Sequence, residues 1–250
     1  MSLVEFAVFL SGVVGHFYGV FSGGGAFLTI PALIFAGLTP QIAIATNRLA
    51  TFGLVLGRMP NVWNKLEIGW KIPVFLIFFE TLGVFLGANL LLSVDPEILF
   101  NVIGFIMLIG AIITFFSPTI GTATKNPKEI TNKNIAITAF LLFFLGIYQG
   151  FFGPGAGTIG ILILTNFLGL SFLQTIAFGT YSQLAGVTIA SFIFINAGKV
   201  DYAFAFILGF GIFLGAHLAT KLAVLKGNLF VKNISIALAT IFGVYFIFFR

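Results

Sequence analysis

Arg48 and Glu80 are charged residues that fall inside long apolar stretches of the chain. Placing a cation at mid-bilayer depth costs at least about 2.5 to 3.5 kcal/mol on insertion scales, so something must compensate Arg48. Either it pairs with Glu80 as a structural ion pair, or it faces a cavity and neutralises an oxyanion through charge-assisted hydrogen bonds. Thr46 and Asn47 stand beside it, and Thr180, Tyr181 and Gln183 occupy the corresponding place later in the chain. All five can donate hydrogen bonds to an anion's oxygens; taken singly, each is better explained by bonding one helix to another, and together they make a ligand shell. Two glycine runs, Gly23-Gly24-Gly25 and Gly153-Pro154-Gly155-Ala156-Gly157, each precede a short apolar segment. Without a Cβ, such a run lets a ligand approach backbone N–H groups, and the helix N-terminus that follows attracts negative charge. The competing use of these glycines is close helix packing. The chemistry suited to these residues is non-covalent binding of a small anion.

Other chemistries lack parts. The chain has no Cys, two His and seven scattered acidic residues, so no metal site is expected. An enzyme would need a nucleophile with a general base, or a metal; none is in view, and the sequence is read as non-enzymatic and without cofactor. His16, close to the first glycine run, is a cavity candidate, whereas His217 is assigned to helix packing. The net charge of +5 comes from basic residues in short loops between apolar segments, where membrane topology places them, so nucleic acid is not an expected partner.

The elements that must position these residues are membrane helices. Of the 250 residues 59% are hydrophobic and only 8% charged, and the mean hydropathy is +1.15; soluble domains carry about 25% charged residues. With a ruler of about 20 residues per span, the segments 3–22, 70–92, 97–117, 134–152, 201–222 and 229–249 each make one crossing. The first has no basic residues ahead of it and a long apolar run, so it is read as a retained span rather than a signal peptide. The stretches 26–57 and 158–195 are too long for one helix and are interrupted at 37–40 and 168–171. Each is expected to form a short half-helix followed by a longer helix. Trp63 and Trp70 are expected at a membrane interface.

The chain also looks duplicated. Gly15 to Gly25 parallels Gly146 to Ala156, Ile42 to Leu49 parallels Ile176 to Leu184, Lys65 to Glu67 parallels Lys199 to Asp201, and Gly83 to Leu90 parallels Gly211 to Leu218. Four matches in order divide the chain into a first transmembrane repeat, 1–117, a polar linker, 118–133, and a second repeat, 134–250. If each interrupted stretch crosses twice, a half has five segments and the second half is inverted. Arg58, Lys65, Lys71, Lys125, Lys128, Lys133, Lys221, Lys226 and Lys232 then share one side, with only Lys199 and Arg250 opposite. The positive-inside rule makes the crowded side, linker included, cytoplasmic. Four spans per half with parallel repeats divides the charges less cleanly. The expected architecture is an all-α polytopic membrane protein of two homologous halves, as inverted repeats with broken helices and 8 to 10 membrane segments.

Gly15 to Pro31, Ala45 to Leu49 and Tyr148 to Gly157, with its Gly-Phe-Phe-Gly-Pro-Gly-x-Gly run, resemble the TauE/SafE family of sulfite exporters and sulfonate permeases. The resemblance covers essentially the whole chain. It implies a multi-pass inner or plasma membrane transporter of two related halves that moves sulfur-containing anions such as sulfite, thiosulfate or organosulfonates; an anion channel on the same repeats is the alternative. Gly23, Gly24, Gly25, Thr46, Asn47, Arg48, Gly153, Gly155, Gly157, Thr180, Tyr181 and Gln183 are the expected substrate-binding residues, with His16, Glu80 and Gln149 as cavity or coupling candidates. Against the family pattern, Gln149 stands where many relatives are acidic and Ser182 near where they are basic, which bears on any coupling through residue 149. Moving one negative charge outward releases about 2.3 kcal/mol per 100 mV, so export needs no co-ion and import does. Intramembrane protonatable groups are few, chiefly Glu80 and the two His. That tilts the expectation towards efflux, with coupling to protons or sodium as alternatives.

Overall fold

Ser2 and Glu5 start the first helix as a capping box, the Ser2 hydroxyl accepting from the Glu5 N–H at 3.2 Å and the Glu5 carboxylate accepting from the Ser2 N–H at 2.8 Å. The structure is a computed structural model. It describes residues 2–66, 68–95, 99 and 130–248, and side chains as far as Lys226 apart from Ser22. The span expected over 97–117 and most of the polar linker lie outside the described residues.

Nine helices are described: α1 (Leu3–Ser22), α2 (Ala26–Phe35), α3 (Pro40–Ala50), α4 (Phe52–Val62), α5 (Lys71–Ser93), α6 (Asn132–Phe151), α7 (Ala156–Leu168), α8 (Phe172–Asn196) and α9 (Tyr202–Phe248). Among the described residues there is no strand, and five helices are long and apolar enough to cross a membrane: Leu3–Phe21, Lys71–Ser93, Asn132–Phe151, Phe172–Asn196 and Tyr202–Lys226. The chain is a polytopic, all-helical membrane protein.

Both expected interruptions are present, and turn chemistry explains them. Between α2 and α3, Gly37 takes φ 99° and Pro40 opens the next helix, since proline suits a first helical position and not an interior one. Between α7 and α8, Gly169 takes φ 68° and Ser171 with Gln174 forms a second capping box. The half-helices α2 and α7 are 10 and 13 residues long, too short to span. Two features differ from expectation. Helix 40–62 runs past residue 57 and bends at Thr51, whose hydroxyl donates to the Asn47 carbonyl at 2.8 Å, a back-bond that bends helices. Arg58, assigned from sequence to a loop, is therefore carried on a helix. Also, α9 continues for 47 residues where two spans, 201–222 and 229–249, were expected. Lys226-Gly227-Asn228 contains no proline to stop it, and a single glycine is tolerated in a helix.

Polarity is inverted relative to a soluble protein. Phe140, Phe192, Phe206 and Phe210 are exposed, while Thr29, Asn47, Arg48, Glu80, Gln149 and Ser182 are buried. Helices meeting in lipid gain nothing from hydrophobic exclusion and pack through small residues that let backbones approach. That is how α5 meets α6: a Cβ on Gly83 or Gly87 would lie 2.0 Å from the carbonyl oxygen of Phe143 or Ile147, and one on Gly146 would lie 2.1 Å from that of Glu80. α1 meets α9 likewise, with Gly211 and Gly215 against the carbonyls of Phe9 and Val13. The helices of the first proposed repeat thus pack largely on those of the second.

Gly87→Val drives a branched side chain into main chain that no rotamer can relieve. Overpacking of about 1–3 kcal/mol, at roughly 2–4 °C per kcal/mol, should lower the unfolding midpoint in detergent by several degrees. Gly69→Ala, whose Cβ meets nothing within 4 Å, should leave it unchanged.

Candidate functional site

α1 ends at Gly23 with φ 72°, and α7 begins after Gly153 and Gly155 with φ 95° and 80°. These left-handed conformations are open to glycine and strained for side-chain-bearing residues. They turn the two runs directly onto each other. A Cβ on Gly23 would lie 2.1 Å from the Thr158 nitrogen, one on Gly157 would lie 2.8 Å from the Gly23 Cα, and Gly155 faces the Phe27 ring. No room is left between the runs at this crossing. The open space lies beside it, in a cavity of about 60 Å³ whose lining includes Gly23, Gly157, Arg58, Glu80, Gln149 and Gln183. That volume holds a few water molecules.

Glu80, on α5, is held from two other helices. Gln149 Nε2 on α6 donates to its Oε1 at 2.6 Å and Ser182 Oγ on α8 donates to its Oε2 at 2.6 Å. Gln183 Nε2 donates to Gln149 Oε1 at 3.2 Å, which fixes the orientation of the Gln149 amide. Both partners of Glu80 are thus neutral, and among the described residues no arginine pairs with it.

Arg48 is compensated in a way the sequence alternatives did not include. Its guanidinium Nη2 donates to the main-chain carbonyl of Gln149, in the last turn of α6, where carbonyls lack helical partners and the helix dipole is negative. The guanidinium lies against Gly153, where a Cβ would stand 2.7 Å from Nη2. Arg48 therefore caps α6 at the second glycine run, and its Nε is buried without a partner.

Arg58 was missed as a site residue. It comes off α4 to line the cavity, its Nε is buried without a hydrogen-bond partner, and it lies within electrostatic range of His16. His16 is buried beside Gly25, its Nδ1 also unpartnered. The signal available in sequence was register: Gly53 and Gly57 lie against α9, so α4 packs inside the bundle, and a cation beside them is interior as well.

The remaining expected residues divide. Gln183 reaches the cavity. Thr46 Oγ1 accepts from the Asp201 N–H at 3.0 Å, Asn47 Oδ1 accepts from Thr29 Oγ1 at 2.6 Å, and Thr180 Oγ1 donates to the Ile176 carbonyl at 2.7 Å. The first two bonds join separate elements, and the third turns the Thr180 hydroxyl back onto its own helix. Tyr181 points away from the cavity: its hydroxyl donates to the Trp63 carbonyl at 2.7 Å and its ring meets Trp70 at 4.9 Å. Trp63 and Trp70 are exposed, as an interfacial aromatic belt requires. Ser182, one residue on, carries the contact to Glu80. Among the described residues no group of three or more His, Asp or Glu is placed to hold a metal. The arrangement provides a guanidinium and side-chain amides around a small cavity, with a carboxylate on its wall.

Known proteins give a consistent comparison. The profile of the family described as "Sulfite exporter TauE/SafE" matches residues 7–246. A "Probable membrane transporter protein" of Haemophilus influenzae is 29% identical over 232 residues, covering 90% of this chain and 87% of that protein. The "Probable membrane transporter protein ORF9" of a Sinorhizobium species is 26% identical, covering 93% and 89%. "Probable membrane transporter protein YfcA" of Escherichia coli is 25% identical, covering 94% and 86%. No solved structure matches. With an inverted-polarity helical bundle, broken helices at two glycine runs and a profile match over nearly its whole length, the chain belongs to the sulfite exporter TauE/SafE family of membrane transporters.

Proposed function

We propose that the chain is a secondary transporter of small sulfur-containing anions, such as sulfite, thiosulfate or an organosulfonate, in the cytoplasmic membrane, with the 118–133 linker on the cytoplasmic side. One observation carries this reading: Arg58 presents a guanidinium with a buried, unpartnered Nε to a small interior cavity. A half-buried guanidinium in that state gains from an anion, and its planar geometry matches an oxyanion's. Gln149 and Gln183 add amide groups, and Gly23 and Gly157 bring main chain to the cavity wall. Arg48 contributes by holding the end of α6, and so the position of Gln149. Alternating access comes from rocking one repeat against the other about the glycine crossing. A small cavity beside a closed glycine crossing suits a carrier better than a continuous channel.

The test is a thermal-shift screen of purified protein against sulfite, thiosulfate, sulfoacetate, taurine, sulfate and chloride. A ligand at 100 times its Kd stabilises by about 2.7 kcal/mol, and one or two of the sulfur anions should do so while chloride does not. Equal responses to all of them, or none, would overturn the substrate class. Arg58→Gln removes a hydrogen bond to charge of about 1.5–3 kcal/mol and should weaken the responding anion ten- to a hundredfold. Arg48→Gln should instead lower the stability of the free protein by about 1–3 kcal/mol, because the Gln149 carbonyl loses its donor; the readout is the unfolding midpoint without ligand.

A further inference from the structure

Arg58 and Glu80 line one cavity without forming an ion pair. With Glu80 ionised the cavity holds one positive and one negative charge; with Glu80 neutral, the guanidinium stands alone. An anion entering that space meets opposite environments in the two states. We propose that Glu80 binds the proton that travels with the anion: the cavity takes its anion when Glu80 is a carboxylic acid and releases it when Glu80 ionises. This rests on the transporter reading above and adds the coupling ion and the residue that carries it.

The local geometry serves both protonation states. The Gln149 amide is held by Gln183, so its Nε2 donates to Glu80 Oε1 in either state. The other oxygen meets the Ser182 hydroxyl, a group that can donate or accept. It donates to the carboxylate at 2.6 Å, and by rotating its hydrogen it accepts from the O–H of the acid. Neither state leaves a buried oxygen unpaired. A structural carboxylate would be expected to have a fixed cation; this one has an amide and a reversible hydroxyl.

Among the described residues, no other titratable group on the packed elements competes for the role. Facing Glu80 are Gln149 from α6, Ser182 from α8 and, across the cavity, Arg58 from α4. Tyr148 on α6 turns its hydroxyl to the Pro154 carbonyl and Tyr181 on α8 to the Trp63 carbonyl. Lys71 on α5 and Lys133 on α6 are exposed at helix starts. Arg48 is bound to the Gln149 main chain, and His16 lies beside Gly25 at the α1 side. In the transport step a proton from one bulk phase adds to a Glu80 oxygen, the anion binds, and after reorientation both leave to the other phase. For a monoanion the transfer is electroneutral, so an inside-negative potential no longer opposes entry.

The test uses the full chain in liposomes with methanesulfonate and thiosulfate, probes that stay ionised between pH 5 and 8. With the membrane potential clamped, an inward proton gradient should drive accumulation with about one proton per anion, and the probe's Kd should rise by about tenfold per pH unit once Glu80 ionises. In Glu80→Gln, binding should lose its pH dependence and the gradient should no longer drive accumulation. Ser182→Ala removes a donor to the carboxylate and should move the midpoint of the pH dependence upward, a displacement that a packing role would not produce. Gradient-driven accumulation by Glu80→Gln, or wild-type binding indifferent to pH, would overturn the proposal while leaving the transporter reading intact. Wild-type protein that binds neither probe at any pH would sink both. Should Glu80→Gln fail to fold, the Ser182→Ala midpoint decides.

Discussion

Backbone-to-backbone approach at glycine is the constraint on which the other features depend. In lipid there is no hydrophobic gain from bringing two apolar helices together, so contact must come from dispersion and from polar bonds that only close approach makes possible. At the α5–α6 crossing Gly146 rests on the carbonyl of Glu80 itself. The same crossing that fixes the two helices therefore brings the Glu80 carboxylate to the Gln149 amide at 2.6 Å. Gly23 on Gly157 does the equivalent for the two helix breaks. Under the duplication proposed from sequence, Gly83 and Gly87 correspond to Gly211 and Gly215, and both pairs press on carbonyls of a helix from the other half. Each proposed half is held by its neighbour more than by itself, which lets one move against the other only where the glycine contacts can slide or tilt.

Much of this was legible in the sequence, because the signals involved are local. Spans follow from apolar length, and the interruptions at 37–40 and 168–171 from glycine, proline and capping residues. Spatial relations were harder. Thr180, Tyr181 and Gln183 were grouped as one ligand shell, but neighbours on a helix point about 100° apart. Only Gln183 faces the cavity, while Tyr181 turns to Trp63 and Ser182 supplies the contact to Glu80. Arg58 was assigned to a loop because the apolar stretch was bounded at residue 57 and basic residues were placed between spans; the helix instead runs to Val62, with Pro60 inside it. Arg48 was expected to need a carboxylate or a ligand. The alternative, a carbonyl at the end of another helix, is set by tertiary packing and has no local sequence mark.

Arg48, buried, and Arg58, half-buried, thus meet one electrostatic problem in two ways. Arg48 places its Nη2 on a fixed helix-end carbonyl and contributes stability and shape, though its Nε has no partner. Arg58 also has an unpartnered Nε, but it faces the cavity instead of a helix end, and under the proposed transporter reading that difference carries functional weight. A cation whose desolvation is incompletely offset raises the free energy of the empty cavity relative to the occupied one. Under the proposed function, part of the anion's binding energy is relief of this penalty, which gives selectivity for charge without requiring many contacts. A carrier must also let go, and a cavity that held only Arg58 would bind too firmly to cycle. Glu80, on the same wall but tied to neutral partners, supplies the opposing charge without cancelling Arg58 permanently. An Arg58–Glu80 ion pair would have closed the site; with the Glu80 oxygens held by the Gln149 amide and the Ser182 hydroxyl, both charges line the cavity unpaired with each other.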